Sequence, residues 1–224
     1  MIPRSSIVWC GLALVPALGA TTSGASAQSA VSAFASASAA EHRVDIGYGV
    51  DRFSGVVLGF GTVVRWRPRV VTVLTVQGGT LEARSARDLE RRVADVAVDA
   101  RYAVGSWFSL TGGVGLRSVA NDVGRQRWVL VRFGGEARPA FMGTPMRAVL
   151  RAGVIPVVAV NGLPAPTLAL HAATGLEYDR GSFTFRALYG VERFDFPLRN
   201  GTRRLEQVSA LTLRAGVRLH GGEP

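Results

Sequence analysis

The hydrophobic and polar residues of this chain alternate in about ten short stretches; from Val44 to Val50, for example, every second residue is apolar. Successive side chains of a β-strand point to opposite faces, so a period of two indicates strands with two different faces. Most stretches have about the 9 to 11 residues that a tilted strand needs to cross a bilayer core. The pattern predicts strands over residues 43–52, 56–67, 70–78, 93–104, 107–118, 127–138, 146–157, 167–178, 182–193 and 208–219.

The connections between the predicted strands are alternately short and long after the first hairpin. Tight turns are predicted at 68–69, 105–106 and 179–181, whereas 80–92, 119–126, 158–166 and 194–207 are longer and polar or rich in Pro and Gly. This alternation is typical of an antiparallel up-and-down barrel with both termini at the turn end. We therefore expect an all-β transmembrane barrel of about ten strands, with closure by eight strands as the alternative.

The two faces of the predicted strands favour a membrane barrel over a soluble one. In 56–67, Val56, Leu58 and Phe60 share one face, while Gly59 and Arg65 share the other. Glycine weakens a strand and gains nothing on an open surface, but small residues suit the narrow lumen of a small barrel. Charges in that lumen need partners of opposite sign. We expect a lumen charge network of Asp45, Asp95, Asp99, Arg101, Arg117, Arg132, Glu136, Arg151, Glu177, Arg186, Glu192 and Arg214.

Aromatic residues fall near both ends of the predicted strands. A membrane barrel carries two aromatic belts where it crosses the two interfaces, although aromatic residues favour strands in any sheet. We predict a belt at the turn end from Trp66, Tyr102, Phe108, Tyr178 and Phe183, and a belt at the loop end from Trp128, Tyr189 and Phe194.

The first residues have the features of an export signal. Arg4 precedes an apolar stretch, residues 7–18, that is too short to span a bilayer, and Ala25-Ser26-Ala27 is a suitable cleavage site. We predict a signal peptide over 1–27, an Ala/Ser-rich leader over 28–40 and a single barrel domain over 41–224. Cys10 is the one cysteine of the chain and lies in the signal. Disulfides, thiolate metal sites and cysteine nucleophiles are therefore excluded from the mature chain.

The formal charge of the chain is +10, and all 26 basic residues are arginine. A GC-rich coding bias is the simpler explanation of this composition, which weakens the argument that each arginine serves to bind an anion. Nucleic acid is a poor partner for an exported chain.

With ten such strands behind an export signal, residues 41–219 resemble the small bacterial outer-membrane β-barrel proteins. The resemblance rests on the alternation and on no diagnostic motif. It implies escort by periplasmic chaperones, assembly by the barrel-insertion machinery, and contact with outer-membrane lipid and lipopolysaccharide. Final strands of such proteins commonly end in an aromatic residue, whereas the last alternation here ends at Leu219 and is followed by His220.

Three features could carry chemistry or binding. His171 lies on a polar face and could act with Glu177 or Ser209, but a lone histidine in a lumen is more often structural. The glycines of residues 112–115 lack the helix and lysine of a phosphate-binding loop, and the histidines lack metal-ligand spacing, so we expect no cofactor or metal. Some loop arginines could bind lipopolysaccharide phosphates or simply be solvated: Arg84, Arg87, Arg91, Arg92, Arg199, Arg203 and Arg204.

These patterns predict an outer-membrane barrel with a structural, surface or narrow small-solute or ion channel role, and no enzymatic activity. The arginine excess would give any conduction a mild preference for anions. Two alternatives stay open: a soluble periplasmic lipocalin-like barrel that binds an apolar ligand, and an outer-membrane barrel enzyme that modifies lipids.

Overall fold

The computed structural model describes residues 30–84, 90–122, 124–199 and 201–220. Ten strands pair antiparallel in sequence order, and β1 closes the barrel against β10. The predicted all-β fold, up-and-down topology and ten strands are confirmed, and closure by eight strands is excluded. No helix within the described ranges is long and apolar enough to cross a membrane. The strands are β1 (Ala30–Asp45), β2 (Val50–Arg67), β3 (Val70–Ala83), β4 (Glu90–Ala103), β5 (Phe108–Ala120), β6 (Arg125–Ala137), β7 (Met146–Val160), β8 (Leu168–Arg180), β9 (Phe183–Arg199) and β10 (Thr202–His220).

The first strand is rich in alanine and serine and covers most of the predicted leader. It pairs with β2 and β10, so that Ala35, for example, lies between Phe60 and Ala215. The leader prediction is therefore wrong for residues 30–40. A strand over 43–52 is also wrong, because residues 46–49 connect β1 to β2. Alanine and serine favour strands weakly and contrast little with each other, so this strand lacks a clear alternation.

The barrel has two ends, which we name by the position of the first and last described residues. The terminal end holds Ala30, His220 and the connections 68–69, 104–107, 138–145 and 181–182; the distal end holds residues 46–49, 84, 121–122, 124, 161–167 and 201. The predicted long loop over 194–207 is wrong, since β9 continues to Arg199 and β10 begins at Thr202. Gly201 has a φ of +75°. Pro197, Gly201 and the pair Arg203-Arg204 are typical of a loop in sequence, which explains the error.

Alternate residues of each strand face outwards and inwards. On β2, Val56, Leu58 and Phe60 point outwards and are 62–64% exposed, whereas Phe53 and Val57 point inwards and are 5–6% exposed. The outward apolar residues of β2 extend over ten residues, which rise about 25 Å at about 3.3 Å per residue and a tilt of about 40°. This is the height of the apolar band on outer-membrane barrels.

The apolar band continues around the whole barrel. Its distal edge is marked by outward polar residues such as Glu41 and Arg43 on β1 and Gln207 on β10. Each of the remaining strands adds exposed apolar side chains to it, among them Leu74, Val98, Leu116, Phe133, Val154, Leu176, Phe185 and Leu213. An apolar surface of this extent is typical of a face that meets lipid or a partner rather than water.

The distal half of the lumen is filled by buried apolar side chains, which we call the distal plug. Trp128 packs edge to face against Phe194 and Phe196, with ring centroids 5.1 and 6.1 Å apart. Edge-to-face aromatic pairs add to the stabilisation that burial provides. The plug comprises two clusters. The larger one contains Trp128, Leu130, Ile155, Val158, Val160, Ala169, Phe194 and Phe196, and the smaller one contains Phe53, Val57 and Leu81.

The plug corrects the predicted aromatic belt at the loop end. Trp128 and Phe194 were expected to face lipid, yet their exposures are 3% and 0%. Both stand near strand ends, but they share the inward face with Arg132 and Glu192, so the pleat turns them into the lumen. Of the three residues predicted for this belt, Tyr189 alone faces outwards, with an exposure of 49%.

Candidate functional site: the arginine-lined lumen

On the terminal side of the distal plug, the lumen contains a cavity of about 880 Å³ that extends to the terminal end. Among the described residues, eleven arginines and five carboxylates line it, so positive charge dominates the wall. The carboxylates are Asp95, Asp99, Glu177, Asp179 and Glu192; the arginines are Arg65, Arg67, Arg101, Arg117, Arg132, Arg138, Arg147, Arg151, Arg186, Arg214 and Arg218.

A first charged cluster lies nearest the plug and is balanced. Arg117 contacts Asp95 at 2.9 Å and Glu192 at 2.8 Å, and Arg132 contacts Glu192 at 2.9 Å. Two guanidinium groups therefore face two carboxylates. Paired charges of this kind satisfy one another inside a protein wall.

A second cluster lies nearer the terminal end and is not balanced. Glu136 is fully buried and forms an ion pair with Arg151 at 2.6 Å. Glu177 forms an ion pair with Arg186 at the same distance. Arg101 also contacts Glu136, and Arg138 contacts Glu177. Two carboxylates thus hold four guanidinium groups: those of Arg101, Arg138, Arg151 and Arg186.

Three residues of the predicted charge network belong to neither of the two ion-paired clusters. Asp99 and Arg214 face the lumen, but no ion pair within 4.0 Å joins either of them to another described residue; the Arg214 guanidinium lies 3.8 Å from the centroid of the Phe34 ring. The placement of Asp45 in the lumen is wrong. It lies on the outward side of β1, 3.6 Å from Arg43, because its neighbour Val44 points inwards and is buried.

The glycines of the lumen make room for these charges. A Cβ on Gly113 would collide with the carboxylate of Asp99, and one on Gly115 would lie 2.7 Å from Nη1 of Arg132. The run 112–115 lies in the middle of β5, away from any helix. Gly113 and Gly115 therefore serve lumen packing, and the space they leave is occupied by side chains of neighbouring strands.

A buried polar group at the distal end was missed by the sequence analysis. Nε2 of His42 lies 2.9 Å from Oε2 of Glu206, and Nη1 of Arg91 lies 3.2 Å from Nδ1 of His42. Arginine can only donate, so Nδ1 accepts and Nε2–H donates to Glu206, which is the neutral form of histidine. Arg204 completes the group by contacting Glu206 at 2.6 Å. Two of the arginines predicted in loops, Arg91 and Arg204, therefore face inwards.

This distal group lies beyond the apolar band, level with the outward residues Glu41 and Arg43. Burial lowers the pKa of His42 below its ordinary value, although the hydrogen bond to Glu206 opposes that effect. Burial alone would raise the pKa of Glu206, but the hydrogen bond from His42 and the charge of Arg204 lower it overall. The sequence offered no signal for this pairing, because 164 residues separate His42 from Glu206.

His171 is not brought together with its predicted partners. Its Nε2 lies 3.3 Å from the carbonyl oxygen of Phe133. Glu177 is engaged by Arg186, and Ser209 is on the outward side of β10. In the described portion of the chain, no three His, Cys, Asp or Glu side chains are grouped as metal ligands are.

The predicted terminal belt lies on the outward surface. Trp66, Tyr102 and Phe183 are 49–57% exposed, and Phe108 and Tyr178 are half-buried. Trp66 donates a hydrogen bond from Nε1 to the hydroxyl of Thr72 on β3 at 2.9 Å. The predicted signal peptide over 1–27, the leader residues 28–29 and Arg87 lie outside the described residues.

A closed antiparallel barrel with an apolar outer band and a charged lumen is the fold of outer-membrane β-barrel proteins. The structure is similar to that of the outer-membrane protease OmpT from Escherichia coli, with a TM-score of 0.58, 8% sequence identity, and coverage of 85% of this chain and 97% of that one. At this identity the likeness concerns the fold alone.

A second similar structure is the translocator domain of the autotransporter NalP from Neisseria meningitidis, with a TM-score of 0.49, 14% identity, and coverage of 85% of this chain and 88% of that one. No protein-family model matches the sequence. No curated protein matches it either.

Proposed function

We propose that the protein is an outer-membrane β-barrel that is closed at the cell surface and open to the periplasm. The observation that carries the proposal is the apolar band surrounding a charged lumen. In water, such a band would leave large apolar side chains such as Phe60 and Leu213 exposed at 64% and 59%. In a bilayer, the same side chains meet hydrocarbon over about 25 Å. The export signal over 1–27 belongs to this proposal.

The distal plug supports a closed barrel rather than a diffusion pore. Leu130 and Phe194 are inaccessible to solvent, and the plug draws side chains from β2, β3, β6, β7, β8 and β9. A ten-stranded barrel encloses little space, so these side chains suffice to occlude it. The role we infer is structural or at the surface, with narrow anion-preferring conduction where the plug opens. No enzymatic reaction is part of the proposal.

Outer-membrane lipid and lipopolysaccharide are the partners in this proposal. Arginine forms paired hydrogen bonds with phosphate, and outward arginines surround the distal edge of the band. Insertion would require the barrel-insertion machinery and periplasmic chaperones. The arginines at this edge include Arg43, Arg52, Arg84, Arg92 and Arg127.

A soluble calyx that binds an apolar ligand is less well supported. Such a barrel would carry an apolar lining throughout and a polar outer surface. The cavity here is instead lined by eleven arginines, while the apolar residues of the band point outwards.

Cell fractionation combined with gel migration tests the proposal. The mature protein should remain in the outer-membrane fraction after washing with buffer, and the detergent-extracted protein should migrate differently in SDS before and after boiling. A protein released by buffer, with no change on boiling, would contradict a membrane barrel and favour the calyx.

A further inference from the structure

In the terminal half of the lumen, the arginines carry more positive charge than the neighbouring carboxylates neutralise. Glu136 and Glu177 hold four guanidinium groups, and Nε of Arg138 is buried without a hydrogen-bond partner. An uncompensated charge inside a membrane-spanning wall is costly. This cluster therefore gains from an additional anion.

Arg214 extends the excess to β10, the strand next to β9. It lies directly across from Arg186 in the register of β9 and β10, and like charges in that position repel. Its Nε is buried without a hydrogen-bond partner, and its guanidinium covers Phe34 instead of a carboxylate. Asp99 also lines the cavity but makes no ion pair with Arg214 within 4.0 Å.

The mouth of the cavity carries further cations. Arg65, Arg67, Arg147 and Arg218 line it where the lumen reaches the terminal end, and none of the four has an ion pair within 4.0 Å among the residues that the structure describes. A narrow opening lined by one sign of charge concentrates ions of the opposite sign. The positive charge at the mouth therefore attracts anions towards Arg214 and Arg186.

We propose that the lumen cavity is a binding site for a small soluble phosphate compound that enters from the periplasm. The proposal rests on the proposed orientation of the barrel in the membrane. A volume of about 880 Å³ lies within the range of small-molecule sites, which is about 300–1,000 Å³. Phosphate matches the surplus because it bears more than one negative charge and accepts paired hydrogen bonds from guanidinium groups. The ligand bridges Arg214 and the cluster around Arg186.

Calorimetric titration of inorganic pyrophosphate into the folded mature protein, in a neutral detergent at low ionic strength, tests the proposal. Arg214→Gln removes one of the central donors without stranding a paired carboxylate, and we expect it to weaken binding by about tenfold. The matched control is Arg180→Gln at the terminal end of β8, which is exposed, does not line the cavity and changes the net charge equally. It should leave the affinity within about twofold.

Arg147→Gln at the mouth should weaken pyrophosphate binding by about threefold. This second variant tests the site even if Arg214→Gln does not fold. Equal affinities for all variants, or no binding by the wild type, would overturn the site. Retention of the heat-dependent gel shift in that case would leave the membrane barrel itself intact. A second arm uses short-chain phosphatidic acid: binding of this lipid without binding of pyrophosphate would overturn a soluble ligand.

Discussion

The two halves of the lumen are built from the same alternating strands but hold opposite chemistry. In the distal half, Phe194 and Trp128 pack tightly, and the buried polar group of His42 and Glu206 has its partners within the protein. In the terminal half, the side chains leave a cavity and more positive charge than the carboxylates balance. The distal half is therefore closed by packing, although Nε1 of Trp128 is buried without a hydrogen-bond partner. The terminal half holds the open cavity and the larger excess of positive charge.

This difference shows that one inward face can serve two purposes along a single strand. β6 contributes Trp128 and Leu130 to the plug and then Arg132 and Glu136 to the charged clusters. The change occurs within two residues on the same face. Substitutions in the plug should therefore affect closure of the lumen, and substitutions in the charged clusters should affect anion binding.

A large effect is expected in the charged half. Glu136→Gln would leave the partly exposed guanidinium groups of Arg101 and Arg151 without the buried carboxylate that they share, and we expect a cost of about 3 kcal/mol, the lower end for a buried ion pair. Glu41→Gln, on the outward distal surface and 3.8 Å from Arg84, should cost less than about 1 kcal/mol. Urea unfolding in lipid vesicles measures both. Similar losses for the two variants would show that the clusters do not stabilise the barrel.

Opening the plug should have a comparable effect. Phe194 is fully buried, so Phe194→Ala should destabilise the barrel by about 3–4 kcal/mol. Combined with Trp128→Ala, it should give anion-selective conductance in planar bilayers where the wild type conducts little. Conductance that is equal in both proteins, or selective for cations, would argue against a plug above a cationic lumen.

The outer band provides a third test. Phe60→Arg places a charge near the middle of the band and should cost about 2–4 kcal/mol. Ser54→Arg lies on the same outward side of β2 but beyond the distal edge, so it should cost less than about 1 kcal/mol. Folding yield in vesicles, read from the gel shift, compares the two. An equal yield for both variants would contradict the position of the band.

The smallest effect concerns pH in the distal half. Because burial lowers the pKa of His42, the folded state binds fewer protons than the unfolded state between the lowered pKa and about pH 6.5. The free energy of unfolding should therefore fall as the pH drops through this window. His42→Gln keeps a donor for Glu206 but cannot titrate, so its unfolding curve should be flatter. Parallel curves for the two proteins would exclude His42 as the titrating group.

The sequence predicted the strands whose faces contrast strongly and failed where they do not. β4 and β9 alternate charged with apolar residues, so their faces follow from the period of two. β1 alternates alanine with serine and carries no such contrast. The outermost part of β10 is polar on both sides of the wall, and the outermost part of β9 is polar on its outward side and contains Pro197, so this stretch was predicted as a loop.

The sequence predicts which charged residues face the lumen of the candidate site but not how they pair. The inward face of Arg132, Glu136 and Arg186 follows from alternation, but which guanidinium meets which carboxylate depends on the register across neighbouring strands. The imbalance between the two clusters and the pairing of His42 with Glu206 arise from that register. No local pattern in the sequence encodes it.

The glycines of β5 have a consequence for how this protein can vary between species. Asp99 occupies the space that a side chain on Gly113 would need, and Arg132 occupies that beside Gly115. A Cβ on Gly113 would also lie 2.8 Å from the backbone oxygen of Val98, so no change at Asp99 alone makes room for it. A larger residue at Gly115 is compatible with a smaller one at Arg132. Among homologous sequences, Gly113 should therefore stay glycine while Gly115 and Arg132 covary, and an alignment in which those two change independently would contradict this arrangement of the lumen.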